Sequence, residues 1–211
     1  MTGTLYIARH GESEWNARGV WTGSTDVHLS EKGFKQAAQL GDALKDVKLD
    51  FAYCSEQVRA LETLEGILDA SGNVSVDFAR SSAINERDYG VYTGKNKWEV
   101  QKEVGEEVFE NIRRGWNQPV QDGETLKDVY DRAVPYYQSE IVPKVLDGKN
   151  ILVVAHGNSI RSLMKYIESI SDEDISNTEM ILGEILVYQI DIDGKQTSKE
   201  VIKIDTTPTN A

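Results

Sequence analysis

The three histidines are the residues of this sequence best suited to proton and group-transfer chemistry at neutral pH, because imidazole ordinarily titrates near pH 6.5. His10 and His156 each follow a short apolar run directly, and each is followed by a glycine; Arg9 precedes the first of them. A glycine there lets the chain turn sharply and lets a ligand approach the backbone. The repeated pattern favours a functional pair over two structural histidines. His28 lacks these neighbours and is predicted to be a loop residue.

Two other kinds of chemistry fit the spacing poorly. No histidine lies three or four residues from another, and the single cysteine cannot form a thiolate cluster, so the spacing specifies no metal site. Scattered carboxylates leave a dinuclear metal site open. Cys54 and Arg59 stand one residue closer together than a cysteine-dependent phosphatase loop requires. Cys54 is therefore predicted to be a small core residue at a strand end.

Alternating apolar runs and helical patterns predict the elements that would position the histidines. Strands are predicted at residues 5–8, 51–54, 76–80, 151–155 and 184–192, and helices at 31–45, 57–70, 125–145 and 160–167, with short helices and turns over 85–123. Pro135 is expected to kink the third helix. The inner side of the first helix is expected to carry Phe34, Ala37, Ala38 and Leu44. The order predicts one α/β domain spanning residues 1–211, a three-layer sandwich with a mainly parallel central sheet and helices on both faces. Sites of such sheets lie beyond the carboxyl ends of the strands, where both His10 and His156 would stand.

The amino-acid composition and net charge limit the kinds of binding partner that the protein can have. The chain has 211 residues, a net charge of −12 and 39% hydrophobic residues, with no apolar run long enough to cross a bilayer and no charged-then-apolar leader. Its acidity argues against nucleic acid and anionic membranes as partners. An anionic substrate would have to meet a local cluster of basic side chains. The single cysteine suits a reducing compartment, and we expect a cytoplasmic protein.

The motifs around these histidines resemble the histidine phosphatase superfamily and, within it, the cofactor-dependent phosphoglycerate mutases. The resemblance runs from residue 5 to about residue 192. Its motifs are Leu5 to Asn16, Trp21-Thr22-Gly23, Leu29-Ser30-Glu31-Lys32-Gly33, Arg59-Ala60 with Thr63, Asn85-Glu86-Arg87 with Tyr89-Gly90, Gly94 with Asn96-Lys97, Arg113-Arg114, Gly123-Glu124 with Leu126-Lys127-Asp128, and Ala155 to Ser159. The Arg-His-Gly element alone indicates the superfamily, whereas the glutamate block, Lys97 and the paired arginines are typical of the mutases.

This resemblance implies a role for each matching residue. His10 would be the nucleophile that carries the phosphoryl group, and Glu86 the general acid and base. Arg9, Arg59 and a protonated His156 would clamp the transferring phosphoryl group. The remaining positions would bind phosphate and substrate: Asn16, Thr22, Gly23, Arg87, Tyr89, Lys97, Arg113, Arg114, Gly157 and Asn158.

The activity implied is interconversion of 3-phosphoglycerate and 2-phosphoglycerate, primed by 2,3-bisphosphoglycerate and without a metal. The alternative is a phosphatase of the same superfamily acting on a small phosphorylated metabolite. A third hypothesis, a phosphate-binding module without catalytic activity, predicts that His10, Glu86 or His156 is lost, and all three are present. The sequence departs from the mutases at Trp21 and in a short stretch from Pro119 to Gly123. That shortening leaves the assembly open, with a homodimer as one expectation. The tail after Asp205 is expected to cover the site.

Overall fold

Strands and helices alternate along the chain in the computed structural model, which describes residues 2–204. The strands are β1 (Leu5–Arg9), β2 (Phe51–Cys54), β3 (Phe78–Arg80), β4 (Ile151–Ala155), β5 (Glu184–Ile190) and β6 (Gln196–Lys203). The α-helices are α1 (Glu14–Ala17), α2 (Glu31–Asp42), α3 (Val58–Ala70), α4 (Lys97–Val104), α5 (Glu106–Arg114), α6 (Leu126–Tyr136), α7 (Val142–Leu146) and α8 (Gly157–Ile167). Short 3₁₀ turns lie at Ser82–Ile84, Gly90–Tyr92 and Asp174–Asn177.

The strands form one six-stranded sheet in the order β3-β2-β4-β1-β5-β6. The first four are mutually parallel, and β5 and β6 are each antiparallel to the preceding neighbour. The predicted three-layer α/β architecture with a mainly parallel sheet is confirmed. Because β1, β4 and β2 are adjacent and parallel, the residues that follow them meet at one edge of the sheet.

Each face of the sheet is covered by its own helices. Alternate residues of the central strands, among them Ile7 and Val153, pack against α6, α7 and α8. The intervening residues, among them Ala8 and Val154, pack against α2 and α3. All four of these side chains are fully buried, which agrees with strands whose two faces are both covered.

The stretch between β3 and α6 has a small core of its own. Its buried members are Trp21, Val100, Phe109, Ile112 and Val120, joined by the half-buried Tyr89, Tyr92 and Val104. Gly105, with a φ of 82°, separates α4 from α5, a conformation that favours glycine. We call residues 85–123, which carry most of this cluster, the insertion.

Several boundaries differ from the predictions. The helix from Glu31 ends at Asp42. Ala37 and Leu44 are buried as predicted, whereas Phe34 and Ala38 are exposed, because Gln36 and Leu40 complete the buried side of α2. The strand predicted over residues 76–80 is only β3, and the last helix already begins at Gly157. Strand β6 was not predicted, since its residues are almost all exposed and show no buried alternation.

The predicted helix over residues 125–145 is divided. It is observed as α6, a π-helical stretch at Tyr137–Ile141, and α7. Pro135, inside α6, lacks the N–H that would continue the helical hydrogen-bond ladder. The predicted homodimer stays a prediction, and the tail after Asp205 lies outside the described residues.

Helix α2 packs on the loop after β1 with no space for a side chain between them. A Cβ on Gly33 would stand 2.1 Å from the Glu12 carbonyl oxygen, and one on Gly11 would stand 2.5 Å from the Gly33 carbonyl oxygen. Glu12 also accepts hydrogen bonds from Ser30 (2.9 Å) and Lys32 (3.2 Å). The turn next to His10 is therefore held at a fixed distance from α2.

Gly33→Ala should test this contact. A methyl group facing a carbonyl of the backbone cannot move aside by a rotamer change, so we expect about 2 kcal/mol of destabilisation, which corresponds to a Tm lowered by about 4–8 °C. Thermal unfolding followed by circular dichroism measures it. Lys35→Ala, at an exposed position of the same helix, should change stability by less than about 0.5 kcal/mol. Equal melting temperatures for the two variants would contradict the packing argument.

Candidate active site

Three side chains meet where β1, β4 and β2 end. His10 follows β1, His156 follows β4 and Ser55 follows β2. The His10 amide donates to the Ala155 carbonyl oxygen at 3.0 Å, and the Ser55 amide donates to the Val154 carbonyl oxygen at 3.3 Å. These bonds continue the sheet one residue past its strands, so the distances between neighbouring strands also determine the distances between the three residues.

The ring of His10 is held in one tautomer. Its Nδ1 lies 2.6 Å from the carbonyl oxygen of Gly11, and a carbonyl only accepts, so Nδ1 carries the proton. The lone pair of the neutral ring is then on Nε2, which is free to attack an electrophile. Thr63 supports this turn by accepting from the Gly11 amide at 3.0 Å.

His156 stands beside His10, with the two ring centroids 4.9 Å apart. Its Nε2 lies 2.6 Å from the hydroxyl oxygen of Ser55, which also accepts from the Gln57 amide at 3.2 Å. Its Nδ1 is buried and has no hydrogen-bond partner. The side chain also caps the first turn of α8, on the side of the Ser159 amide.

Both histidines are in their neutral form in this environment. Burial lowers the pKa of His10 well below its usual value, and Arg59 and Arg9 lower it further. The pKa of His156 is lowered in the same direction by burial first, then by Arg59, His10 and Arg9. The predicted protonation of His156 concerns the site with a phosphoryl group bound and stays a prediction. A bound phosphoryl group would supply the negative charge needed to favour the imidazolium.

Two arginines are fixed beside the histidines by backbone carbonyls. Arg59 donates to the carbonyl oxygens of Thr25 (3.0 Å) and Gly23 (3.2 Å), and burial lowers its pKa to about 10. Arg9 donates to the Met180 carbonyl oxygen at 2.9 Å. The Nε atoms of both are buried without a partner. Neither of the two has a salt bridge among residues 2–204, so their charges are available to a bound anion.

Glu86 is oriented by three N–H groups on one oxygen. Its Oε1 accepts from the Arg87 amide (2.8 Å), the Asn158 amide (3.1 Å) and the Asn158 side chain (3.1 Å). The other oxygen, Oε2, lies near Gly157, where an added Cβ would stand 3.6 Å from it and 3.5 Å from the Arg9 guanidinium carbon. One carboxylate oxygen is thus held by the protein, and the other faces the space beside Gly157.

Two adjoining cavities form the site. A cavity of about 60 Å³ contains the His10 end and a cavity of about 110 Å³ extends toward the insertion. They share Arg9, Trp21, Glu86, Tyr89 and Lys97. Six cationic side chains line the two together, against the carboxylates of Glu86 and Glu179: Arg9, Arg59, Lys97, Arg113, Arg114 and Arg161. This local excess of four positive charges in a chain of net charge −12 is suited to an anion.

The far end of the larger cavity is built from the insertion. Arg113 and Arg114 are the last two residues of α5, and Lys97 is the first of α4. Burial lowers the pKa of Lys97, and the nearby Arg9 and Arg113 lower it further. Cations crowded in this way are stabilised when an anion enters between them.

Arg161 ties this end to the sheet. Its guanidinium donates to the carbonyl oxygens of Arg114 (2.7 Å), Ile175 (2.7 Å) and Thr178 (2.8 Å), and to the side-chain oxygen of Asn158 (3.0 Å). It therefore joins α8, the end of α5 and the segment before β5. Its role in the geometry is to position these elements.

The structure brings the predicted site residues together, with one exception. Thirteen of the fifteen line the two cavities, and His156 lies directly behind them against His10. Arg87, predicted to bind substrate, lines neither cavity. It is fully buried, donates to the Ile112 carbonyl oxygen and stacks on the Tyr89 ring at 4.4 Å. These contacts hold Tyr89 and the insertion, but Nε and Nη1 of Arg87 are buried without a partner, so its predicted role in substrate binding stays a prediction.

Three polar residues of the site were missed. Ser55 follows a buried strand just as His10 and His156 do, and that shared position was a usable signal. Arg161 lies one helical turn beyond Gly157 on α8, so the period of the helix could have indicated it. Glu179 lies in an irregular segment before β5, where no periodicity applies.

Sequence comparison agrees with the geometry. The family model of the histidine phosphatase superfamily (branch 1) matches residues 5–204. This chain belongs to the histidine phosphatase superfamily. It is 41% identical over 204 residues to the 2,3-bisphosphoglycerate-dependent phosphoglycerate mutase of Rhizobium meliloti, covering 96% of this chain and 97% of that protein. It is also 41% identical over 205 residues to the protein of that name from Chelativorans sp., covering 96% and 100%.

Solved structures of the superfamily share this fold. Bacillus stearothermophilus YhfR is 28% identical with a TM-score of 0.80, covering 92% of this chain and 98% of that one. The phosphoglycerate mutase of Bacillus anthracis is 25% identical with a TM-score of 0.71, covering 96% and 92%. A mycobacterial glucosyl-3-phosphoglycerate phosphatase, at 19% identity and a TM-score of 0.79 over 96% and 98%, is similar in fold alone.

Two further features are absent from residues 2–204. No group of three or more His, Cys, Asp or Glu side chains is arranged to hold a metal ion within this part of the chain. None of its helices is long and apolar enough to span a membrane.

The three histidines should separate clearly in an NMR titration of the phosphate-free protein. The pKa of His28 is raised by its 2.6 Å contact with Glu62, whereas those of His10 and His156 are lowered. Because its pKa is raised, His28 remains an imidazolium at pH values above 6.5. Because their pKa values are lowered, His10 and His156 remain neutral at pH values below 6.5. Between pH 6.5 and about 8 only His28 should shift its ring C–H resonance. A second titrating resonance in that range, assigned with His→Gln variants, would contradict the electrostatic account.

Ser55→Ala tests whether the hydroxyl orients His156. Loss of the bond to Nε2 should lower kcat by about tenfold, a fraction of what a positioned proton donor contributes, with KM changed little because Ser55 does not line either cavity. Steady-state kinetics gives both constants. Ser162→Ala is the matched control, since its hydroxyl is equally buried but has no partner. An unchanged kcat in Ser55→Ala would remove Ser55 from the site.

Proposed function

We propose that this protein interconverts 3-phosphoglycerate and 2-phosphoglycerate through a phosphohistidine at His10. The observation that carries the proposal is the double cavity: a neutral histidine at one end, two arginines at the other, and Glu86 lining both. A substrate with a phosphate, a hydroxyl and a carboxylate needs these three features. The names of the relatives that are 41% identical over nearly the whole chain support the same activity.

In the first transfer the substrate hydroxyl attacks phosphorus as the bond from phosphorus to Nε2 of His10 breaks. Glu86 accepts the hydroxyl proton on Oε2, the oxygen that the protein leaves free. Arg9, Arg59 and His156 neutralise the charge on the equatorial oxygens, and His156 does so as the imidazolium. Each charge-assisted hydrogen bond contributes about 1.5–3 kcal/mol.

In the second transfer the neighbouring phosphoryl group is returned to Nε2 of His10. Glu86 now gives its proton to the departing oxygen, so the carboxylate and the phosphohistidine are both restored. The molecule must reorient between the two steps. Lys97, Arg113 and Arg114 are placed to hold whichever anionic group is distant from His10, and Asn16, Thr22, Gly23, Gly157, Asn158 and Tyr89 complete the lining.

The site fits 2,3-bisphosphoglycerate as a priming ligand. The buried atoms without partners include Nε of Arg9 and Arg59 and the hydroxyl of Thr22, all possible donors to phosphate oxygens. The paired arginines would hold the second phosphate. When bound, this compound supplies the phosphoryl group that first loads His10. Beyond these phosphoglycerates we propose no further partner, and we place the reaction in the cytoplasm, which suits the single buried Cys54.

The second candidate is a phosphatase, in which water accepts the phosphoryl group. Several proteins of similar fold are named as phosphatases. The lining of the larger cavity favours the mutase, because Lys97, Arg113 and Arg114 form an anion site that hydrolysis of a simple monophosphate does not need.

One assay distinguishes the two candidates. Purified protein is given 3-phosphoglycerate, with and without catalytic 2,3-bisphosphoglycerate, while 2-phosphoglycerate and free phosphate are followed together. We expect 2-phosphoglycerate as the main product and a rate that rises with the bisphosphate, because unprimed His10 carries no phosphoryl group. Free phosphate as the main product would show a phosphatase.

The same protein allows a direct test of the nucleophile. Labelled 2,3-bisphosphoglycerate should leave an acid-labile label on the wild type and none on His10→Ala, since no other histidine at the site has a free, correctly held Nε2. His28→Ala, which lies outside both cavities, should label normally. Acid-labile label retained by His10→Ala would assign the phosphoryl group to another residue.

A further inference from the structure

Glu179 is a carboxylate that lines the larger cavity although nothing in the proposed transfer uses it. It shares this cavity with Glu86 and the basic residues of the insertion. Its Oε2 lies 3.1 Å from Nη2 of Arg114, and its side chain is half exposed. A negative charge in an anion site opposes the binding of an anion, so its presence there has a consequence for affinity.

The backbone on both sides of Glu179 is held by arginines of the site. The Thr178 carbonyl oxygen accepts from Arg161 at 2.8 Å, and the Met180 carbonyl oxygen accepts from Arg9 at 2.9 Å. The Met180 side chain is also buried. Glu179 is thus anchored at the cavity by its neighbours, and its placement does not depend on its own ion pair.

Arg114 is paired with carboxylates on two sides. Its Nε lies 3.2 Å from Glu110, one turn earlier on the same helix, and its Nη2 pairs with Glu179, which also lines the larger cavity. Arg113 also pairs with Glu110, at 2.8 Å. Of the carboxylates that contact Arg114, Glu179 is the one that lines the cavity. A ligand anion that reaches Arg114 must therefore approach Glu179 closely or displace it.

We propose that Glu179 limits the charge of the ligand that the far end of the cavity holds, and so determines the preference between monophosphate and bisphosphate. This rests on the proposed function. With one phosphate at His10, a monophosphoglycerate presents a carboxylate and a hydroxyl to the far end, whereas the bisphosphate presents a carboxylate and a second phosphate. The repulsion from Glu179 rises with that charge, so it weakens the bisphosphate complex more.

The expected effect of the Glu179 charge on ligand affinity follows from Coulomb's law. Two unit charges about 6 Å apart, at an effective dielectric constant of about 40 for a half-exposed pair, interact by roughly the energy of a tenfold change in affinity. Solvent screening of an exposed carboxylate reduces this. Removing the charge should tighten monophosphate binding by about threefold and bisphosphate binding by about tenfold, on the order of the screened Coulomb energy.

The test is Glu179→Gln, which keeps the shape and removes the charge. To prevent turnover, binding of 3-phosphoglycerate and 2,3-bisphosphoglycerate is measured by calorimetry in the His10→Ala background, with and without Glu179→Gln. Glu107→Gln in the same background is the matched control, because Glu107 is exposed on α5 and lines neither cavity. Added salt should shrink the difference between the two ligands.

We expect the ratio of the two dissociation constants to shift toward the bisphosphate in Glu179→Gln and to stay unchanged in Glu107→Gln. Equal tightening of both ligands, no change, or weaker binding of both would overturn the proposal; the last result would make Glu179 a residue that holds Arg114 in position. Failure of the proposed function would be visible separately, as free phosphate in place of 2-phosphoglycerate from protein with His10 and Glu179 intact.

Discussion

The hydrogen bond from the His10 amide to the Ala155 carbonyl, 3.0 Å long, joins the ends of two neighbouring parallel strands at the residue where chemistry begins. Because β1 and β4 are paired along their whole length, from Leu5 with Ile151 to Arg9 with Ala155, the relative height of His10 and His156 is determined by the register of the sheet. A slip of one residue would turn each side chain to the opposite face. The buried apolar residues on both faces therefore also preserve the distance between the two imidazoles.

The same geometry places positive charges and hydrogen-bond donors at the site without the negative charge or the acceptors that would compensate them. Two buried neutral histidines stand among guanidinium groups fixed by carbonyl oxygens, with several N–H donors unpartnered. Burying cations and donors without compensation costs free energy. An entering phosphoryl group supplies the missing charge and the missing acceptors together, so part of the stability that the fold forgoes is recovered on binding.

Much of this was predictable from the sequence, and the reason differs from residue to residue. His10 follows a strand of four buried apolar residues and Arg9, and His156 follows one of five, and such continuous buried runs leave little ambiguity. The exposed edge strand β6 has no such run, so nothing in its pattern distinguished it. Arg87 and Glu179 show what the sequence could not predict about individual side chains. Arg87, a basic residue of the motif, is buried away from the cavity, whereas the acidic Glu179 lines it. Both outcomes depend on long-range packing, which spacing along the chain does not report.

The insertion places its aromatic and aliphatic side chains in a cluster separate from the two that cover the sheet. Substitutions in that cluster can therefore accumulate with little effect on the packing behind His10 and His156. The cluster supports the end of the site that carries Lys97, Arg113 and Arg114, whereas Glu86, at the start of the insertion, lines the cavity of His10. Divergence of the acceptor within one fold then requires changes in the part of the insertion that forms α4 and α5, while the phosphohistidine centre and Glu86 stay as they are.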